Sequence, residues 1–296
     1  MSSLPSSPSS PASAPAPIPP HTPRPMRRGV VLLPSLFTVA NLGMGWFAIQ
    51  QTVLALQSPD AAGLLDSAAK AIGWAILLDG LDGRIARMAN ATSAFGGEFD
   101  SLADVISFGV APALLAYVWG LRFLALSPGW TLGLNRAAQI IVFLFVVAGA
   151  ARLARFNIAS HDSHPSNPGK PGKRYFVGMP IPAAAGAIAA VVHFFASPTF
   201  FFTTVNTSAA WAIVWLAIVL CLGWFMVSTW RFYSFKEIDL GRRHPYVFMV
   251  ILAALMAGLW YYSEVVLMAV VLVYVGSALT WRLSHYLHRW RRRRPA

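Results

Sequence analysis

Apolar runs of about 20 residues recur along this chain, and each is long enough to cross a hydrocarbon core of about 30 Å as a helix. Of the 296 residues, 56% are hydrophobic and only 11% are charged, whereas soluble domains are usually about 25% charged. The mean hydropathy is +0.57. A bilayer offers no water to the backbone, so long apolar runs are stable there as helices that satisfy their own hydrogen bonds. The sequence therefore predicts an all-α, multi-pass membrane protein.

Eight of these runs are predicted to be transmembrane helices. They cover residues 30–56, 68–88, 99–120, 136–158, 176–197, 208–230, 246–262 and 264–282. The last two are separated only near Glu264, which makes this boundary the least distinct. Residues 1–28 are rich in proline, serine and alanine, a composition typical of a disordered tail. Because this tail lacks the apolar stretch of a secretory signal, the first helix is expected to be retained.

The basic residues indicate how the helices cross the membrane. With eight spans and a cytoplasmic N-terminus, 20 of the 23 Lys and Arg residues fall in cytoplasmic segments, as the positive-inside rule predicts. Both termini are therefore expected on the cytoplasmic side of the membrane. The expected setting is the inner membrane of a bacterium. We attribute the net charge of +12 to the basic residues of these cytoplasmic segments and of a basic tail, residues 285–296. This tail is expected to lie on anionic lipid. No nucleic-acid partner is predicted.

Residues 79–104 carry four aspartates, in a chain that has only 11 acidic side chains. Asp79 and Asp82 are three residues apart, and Asp100 and Asp104 are four apart, so each pair shares one face of a helix. A short loop around residues 91–97 makes the two helices antiparallel neighbours. Acids near a membrane span are costly without a partner, so this group is the leading candidate for a functional site on the cytoplasmic side.

Four carboxylates in one place repel each other unless cations or protons neutralise them. Oxygen ligands without nearby cysteine or histidine favour Mg²⁺, Mn²⁺ or Ca²⁺, and two such ions can clamp a pyrophosphate. Gly83 leaves room for a substrate, Arg87 offers a fork suited to phosphate, and Gly96 is assigned to the turn. The alternative is that the aspartates form ion pairs with Arg84 and Arg87 or sit at solvated helix ends. Cys221 is the only cysteine, which excludes an intrachain disulfide and a cysteine-type zinc site.

The segment also resembles a known family, the CDP-alcohol phosphotransferases, whose signature is D-x2-D-G-x2-A-R-x8-G-x3-D-x3-D. Every fixed position is present, namely Asp79, Asp82, Gly83, Ala86, Arg87, Gly96, Asp100 and Asp104. The resemblance implies that an alcohol attacks the β-phosphorus of a CDP-linked donor and expels CMP. It also implies that the four aspartates bind two divalent ions, Mg²⁺ or Mn²⁺, and that Asp104 is in addition the general base.

The same resemblance implies a nucleotide site lined at Asp79, Gly83, Ala86 and Arg87. It implies a six-helix core, commonly a homodimer, with a polar cavity open to the cytoplasm. Residues 29–240 are expected to form this catalytic core. Residues 241–284 are expected to add two further helices.

Other stretches resemble the phosphatidylserine synthase branch of the family. They are residues 33–49, 99–113, 151–157, 178–186 and 228–238. Ser35 departs from the Pro-Asn that many relatives carry at the start of the first span, although Thr38 and Asn41 are kept. The branch implies CDP-diacylglycerol as donor and L-serine as acceptor, with membrane lipids around the protein.

Four polar residues are candidates for binding serine or the lipid phosphate: Arg152, Arg155, Asn157 and Lys236. The alternative is that the cations anchor helix ends. Glycerol 3-phosphate, inositol or an inositol phosphate stay open as acceptors, and a cation transporter is a remote alternative from another class. His193 and the phenylalanines near it are interpreted as packing or interfacial residues.

Overall fold

The computed structural model describes residues 28–89, 94–122, 128–161, 175–196, 209–233 and 245–292. A helix lies in each of the eight ranges predicted from the sequence, so the all-α prediction is confirmed. The helices are α1 (Arg28–Leu54), α2 (Ala61–Ala89), α3 (Ala94–Asp104), α4 (Ala111–Arg122), α5 (Pro128–His161), α6 (Ile181–Ala196), α7 (Ala209–Val227), α8 (Pro245–Tyr261) and α9 (Ser263–Arg292). The last helix thus extends ten residues past the predicted end at residue 282, into the segment expected to be a basic tail.

Two features of the backbone were not predicted. A π-helical segment, Val105–Val110, joins α3 to α4, so the predicted third span is one helix with a wider turn inside it. Two three-residue strands, β1 (Tyr175–Val177) and β2 (Arg231–Tyr233), form an antiparallel pair in which Phe176 lies opposite Phe232.

The strand pair shortens the predicted fifth span, which starts as a helix only at Ile181. Gly178 has φ of 80°, a left-handed conformation that favours glycine. Its N–H donates to the carbonyl of Trp230 at 2.8 Å. Pro182 lies in the first turn of α6, where its missing N–H costs no helical hydrogen bond.

Several of these helices have the dimensions of membrane spans. In the described ranges, four segments are long and apolar enough to cross a bilayer: Ala61–Arg84, Phe95–Gly120, Leu132–Ile158 and Ala210–Val227. Two shorter apolar helices are Ile181–Ala196 and Ser263–Ala278. This supports a polytopic membrane protein, and the total of eight spans stays a prediction.

Small side chains let the central helices approach closely. Helix α2 packs against both α1 and α6, and the buried side chains along it are largely alanines: Ala61, Ala68, Ala69, Ala71 and Ala75. In a bilayer, helix association depends on such close van der Waals packing, because lipid tails are as apolar as the side chains. This packing fixes α1 relative to α2, and both helices carry polar residues of the site described below.

Gly45 lies where α1 packs tightly against the π-helical segment. A Cβ atom at this position would lie 2.4 Å from Ser107 Oγ and 2.7 Å from Ser107 Cα. Ser107 also donates a hydrogen bond from Oγ to the carbonyl of Asn41 at 3.1 Å. This contact holds the start of the π-helical segment, and with it Asp104, against α1.

Replacing Gly45 by alanine is therefore expected to destabilise the fold by about 1–3 kcal/mol, because the added methyl group overpacks the contact with Ser107. Gly43→Ala is the matched control, since a Cβ atom there meets no heavy atom within 4 Å. The control should be neutral or slightly stabilising, because alanine favours a helix over glycine. Thermal unfolding of both variants in one detergent measures the difference. Equal midpoints would contradict the close contact.

Candidate functional site

Helices α2 and α3 bring three carboxylates together. One carboxylate oxygen from each of Asp79, Asp100 and Asp104 can be chosen so that all three atoms lie within 4.8 Å of one another. Asp100 and Asp104 are one turn apart on α3, and Asp79 comes from α2. The convergence expected from the sequence spacing is therefore present for these three residues.

The fourth aspartate has a different partner. Asp82 is buried on α2 and accepts a hydrogen bond from the hydroxyl of Thr38 on α1. Its carboxylate is not part of the three-oxygen group. That Asp82 also holds a metal ion stays a prediction.

Helix α1 contributes a second polar side chain to the site. Asn41 is fully buried and donates from Nδ2 to Asp104 Oδ1 at 3.4 Å. Thr38 and Asn41 are three residues apart, so they lie on one face of α1. From the sequence, Thr38 and Asn41 could be recognised only as positions that the family keeps. Their hydrogen bonds could not be predicted, because the partners lie 44 and 63 residues away.

The donor set fits a hard divalent cation. Asp100 Oδ1 and Asn41 Oδ1 are buried and have no hydrogen-bond partner among the described residues. Among the residues whose side chains are described, which exclude Arg87, no basic group forms an ion pair with Asp79, Asp100 or Asp104. Buried oxygens without partners are costly, and Mg²⁺ and Mn²⁺ take such oxygens as ligands. The cluster can hold a metal ion.

The residues predicted to line a nucleotide site follow the first aspartate pair on α2. Gly83 is exposed next to Asp82. Ala86 and Arg87 belong to the last part of the helix, and their side chains lie outside the described part of the chain. The expected position of Gly96 was wrong in one respect: α3 already begins at Ala94, so this glycine lies in the first helical turn and not in the loop.

The serine-binding candidates are in different surroundings. Arg152 on α5 is close enough to Asp104 to interact with it electrostatically, and its buried Nε has no hydrogen-bond partner among the described residues. Arg155 is exposed, and its Nη1 donates to the carbonyl of Val227 at 3.5 Å. Lys236 lies outside the described residues. The electrostatic interaction with Asp104 makes Arg152 a candidate that lies near the aspartate cluster.

Asn157 forms a hydrogen bond with another side chain of the protein. Its Nδ2 donates to Ser101 Oγ at 2.9 Å, which links α5 to α3. Ser101 stands next to Asp100 in the sequence, so this bond helps to fix the helix that carries two of the carboxylates. Binding of substrate by Asn157 stays a prediction.

A second polar group joins three helices away from the aspartates. His193 on α6 is buried and contacts Asp66 of α2 through Nδ1 and Ser263 Oγ of α9 through Nε2, the latter at 2.8 Å. Lys70 Nζ lies 2.7 Å from Asp66 Oδ2. The interpretation of His193 as a packing residue was thus incomplete. An acid within an apolar helix, here Asp66, was the available signal for this group.

The profile of the CDP-alcohol phosphatidyltransferase family matches residues 31–222, which include all four aspartates. The chain belongs to this family. Members are polytopic membrane proteins, in agreement with the apolar helices described above, and the resemblance read from the signature is confirmed.

Several relatives are similar to this chain over half of its length or more. A CDP-diacylglycerol–serine O-phosphatidyltransferase of Helicobacter pylori is 37% identical over 212 residues, covering 70% of this chain and 74% of the relative. The enzyme of that name from Mycobacterium tuberculosis is 41% identical over 161 residues, or 54% of this chain and 49% of the relative. An archaetidylserine synthase of Methanothermobacter thermautotrophicus is 35% identical over 161 residues, covering 53% and 56%. All three names refer to serine.

Neutralising one member of the cluster is expected to weaken metal binding. Asp100→Asn should lower the affinity for Mn²⁺ at least about tenfold, because one anionic ligand is lost. Glu98→Gln is the matched control, since Glu98 is an exposed carboxylate on the same helix that is not part of the cluster. Titration of the purified proteins with Mn²⁺, followed by electron paramagnetic resonance, measures both affinities. Unchanged binding by the Asp100 variant would show that the cluster is not the metal site.

Proposed function

We propose that this chain is a CDP-diacylglycerol–serine O-phosphatidyltransferase. It transfers a phosphatidyl group from CDP-diacylglycerol to the hydroxyl of L-serine and releases CMP. The observation that carries the proposal is the convergence of Asp79, Asp100 and Asp104 in a member of this family. The names of the relatives support serine as the acceptor.

The reaction forms a bond between the serine oxygen and the β-phosphorus and breaks the bond from that phosphorus to the CMP oxygen. The serine hydroxyl loses its proton in the same process. Two divalent ions, Mg²⁺ or Mn²⁺, when held by Asp79, Asp82, Asp100 and Asp104, would neutralise the pyrophosphate and make CMP a better leaving group. We assign Asp104 the additional role of accepting the serine proton.

The residues around Asp104 support this assignment. Asn41 donates to Asp104 Oδ1, so α1 orients this carboxylate. A general base must be within hydrogen-bond reach of the proton that it removes. A fixed carboxylate meets this requirement better than one on a mobile side chain.

The two substrates are proposed to bind on different sides of the cluster. The cytidine nucleotide lies along α2, where exposed Gly83 leaves space beside Asp79 and where Ala86 and Arg87 follow in the next turn. Serine lies toward α5, where Arg152 is within electrostatic reach of Asp104. The guanidinium has a buried N–H without a partner among the described residues, and a carboxylate is a suitable acceptor for it. Arg155, Asn157 and Lys236 are proposed as secondary contributors to this pocket.

The setting of the enzyme is part of the proposal. The uneven distribution of basic residues supports a cytoplasm-facing site with both termini on that side, in a bacterial inner membrane. CDP-diacylglycerol then enters laterally from the lipid, and serine enters from the cytoplasm. A homodimer is proposed from the family resemblance.

The acceptor is tested directly by measuring CMP release from CDP-diacylglycerol by purified protein with Mn²⁺ or Mg²⁺. We expect release with L-serine and none above background with inositol. Glycerol 3-phosphate and inositol phosphate belong in the same assay, because the unpartnered N–H of Arg152 suits a phosphate as well as a carboxylate. Release with one of these but not with serine would overturn the specific assignment.

The role of Asp104 predicts a large kinetic effect. Asp104→Asn should reduce the rate by about 10²–10⁴, the usual contribution of a general base, with an unchanged melting temperature. Glu98→Gln, on the exposed side of the same helix, should retain the wild-type rate. A loss of less than about tenfold in the Asp104 variant, or about 1.4 kcal/mol in barrier, would exclude it as the base.

A further inference from the structure

Asn41 is a polar side chain that is fully buried on helix α1. One end of its amide has a partner, because Nδ2 donates to Asp104 Oδ1 at 3.4 Å. The other end, Oδ1, is buried and has no hydrogen-bond partner among the described residues. A buried amide oxygen without a partner is costly. The structure therefore indicates that a bound group completes this amide.

The position of the amide is fixed by the helix that carries it. The backbone carbonyl of Asn41 accepts a hydrogen bond from Ser107 Oγ at 3.1 Å, and Gly45, one turn further along α1, packs tightly against the same serine. Reversing the amide would bring its oxygen against the carboxylate of Asp104, where both groups are acceptors. Oδ1 is therefore the end of Asn41 that a bound group can reach beside Asp104.

The neighbour of this amide is the cluster of three carboxylates. Asp104 contributes one of the three oxygens that lie within 4.8 Å of one another. An amide carries its oxygen and its NH2 group on one carbon, so a cation on the Asp104 carboxylate can also reach Asn41 Oδ1. Mg²⁺ requires octahedral coordination, which three carboxylate oxygens leave incomplete. Carbonyl oxygens suit Mg²⁺ and Mn²⁺ as further ligands.

We propose that Asn41 is a ligand of the metal centre and binds one of the divalent ions through Oδ1. This inference rests on the proposed function, which places these ions at the aspartates. A neutral amide supplies an oxygen without adding to the repulsion among the carboxylates. It also links the ion to α1, a helix without acidic residues, so that α1, α2 and α3 all hold the metal centre.

The test is electron–nuclear double resonance of purified, Mn²⁺-loaded protein that contains asparagine labelled with ¹³C at the side-chain carbonyl. We expect a ¹³C coupling in the labelled wild type that unlabelled protein lacks. Dipolar coupling falls with the cube of the distance, so a ligating amide gives a much larger coupling than an amide that only contacts Asp104. Serine is omitted, so that its ammonium group cannot occupy the same oxygen.

Two variants assign the signal to one asparagine. Asn41→Leu keeps a side chain of similar size but has no amide, so it should lose the coupling and bind Mn²⁺ about tenfold more weakly. Asn135→Leu is the matched control, because the amide oxygen of Asn135 already accepts a hydrogen bond from the hydroxyl of Tyr117. This variant should retain both the coupling and the affinity.

The decisive measurement is made on the wild type, so it does not depend on the folding of a variant. Bound Mn²⁺ without a ¹³C coupling would overturn the inference while the proposed function stands. A coupling that Asn41→Leu retains would do the same, because another asparagine would then be its source. Wild-type protein that binds no Mn²⁺ would instead overturn the proposed metal centre, and the inference with it.

Discussion

The crowding of carboxylates within apolar helices is the constraint on which the rest of the structure depends. Three carboxylate oxygens, from Asp79, Asp100 and Asp104, come within 4.8 Å of one another in a chain built to lie in lipid. Such an arrangement is unfavourable without positive charge, because the groups repel and are partly removed from water. Arg152 offsets part of this repulsion through its electrostatic interaction with Asp104. A divalent cation bound by the three carboxylates would offset much of the rest, so the cluster is suited to a ligand.

Helix α1 is what keeps this arrangement in place. It supplies no acid, yet its Thr38 binds Asp82 and its Asn41 binds Asp104. The contact of Gly45 with Ser107 brings it against the π-helical segment that follows Asp104. A π-helical turn shifts the register of all residues after it, and such turns are frequent at functional sites. The side chains of α4 therefore continue on a different face from the one that carries Asp100 and Asp104.

The helices and the convergence of three aspartates could be predicted from the sequence, because both depend on local spacing. Contacts between residues that are distant in the sequence could not be predicted. Strands β1 and β2 have three residues each and pair positions 58 residues apart, Tyr175 with Tyr233, so neither strand has a recognisable pattern of its own. His193 looked like a packing residue because its own helix is apolar, whereas its partners lie 127 and 70 residues away. The π-helical turn has no marker in residue type that we can identify.

The two proposed halves of the site come from different parts of the chain. The proposed metal and nucleotide half is centred on residues 79–104, where the spacing of the aspartates leaves little freedom for change. The proposed acceptor half lies on another helix, α5, with Arg152 as its main candidate. Changes in this later part of the chain would then alter the acceptor without disturbing phosphoryl transfer, since it supplies none of the proposed metal ligands. A fold divided in this way can keep one reaction and vary the alcohol that it uses.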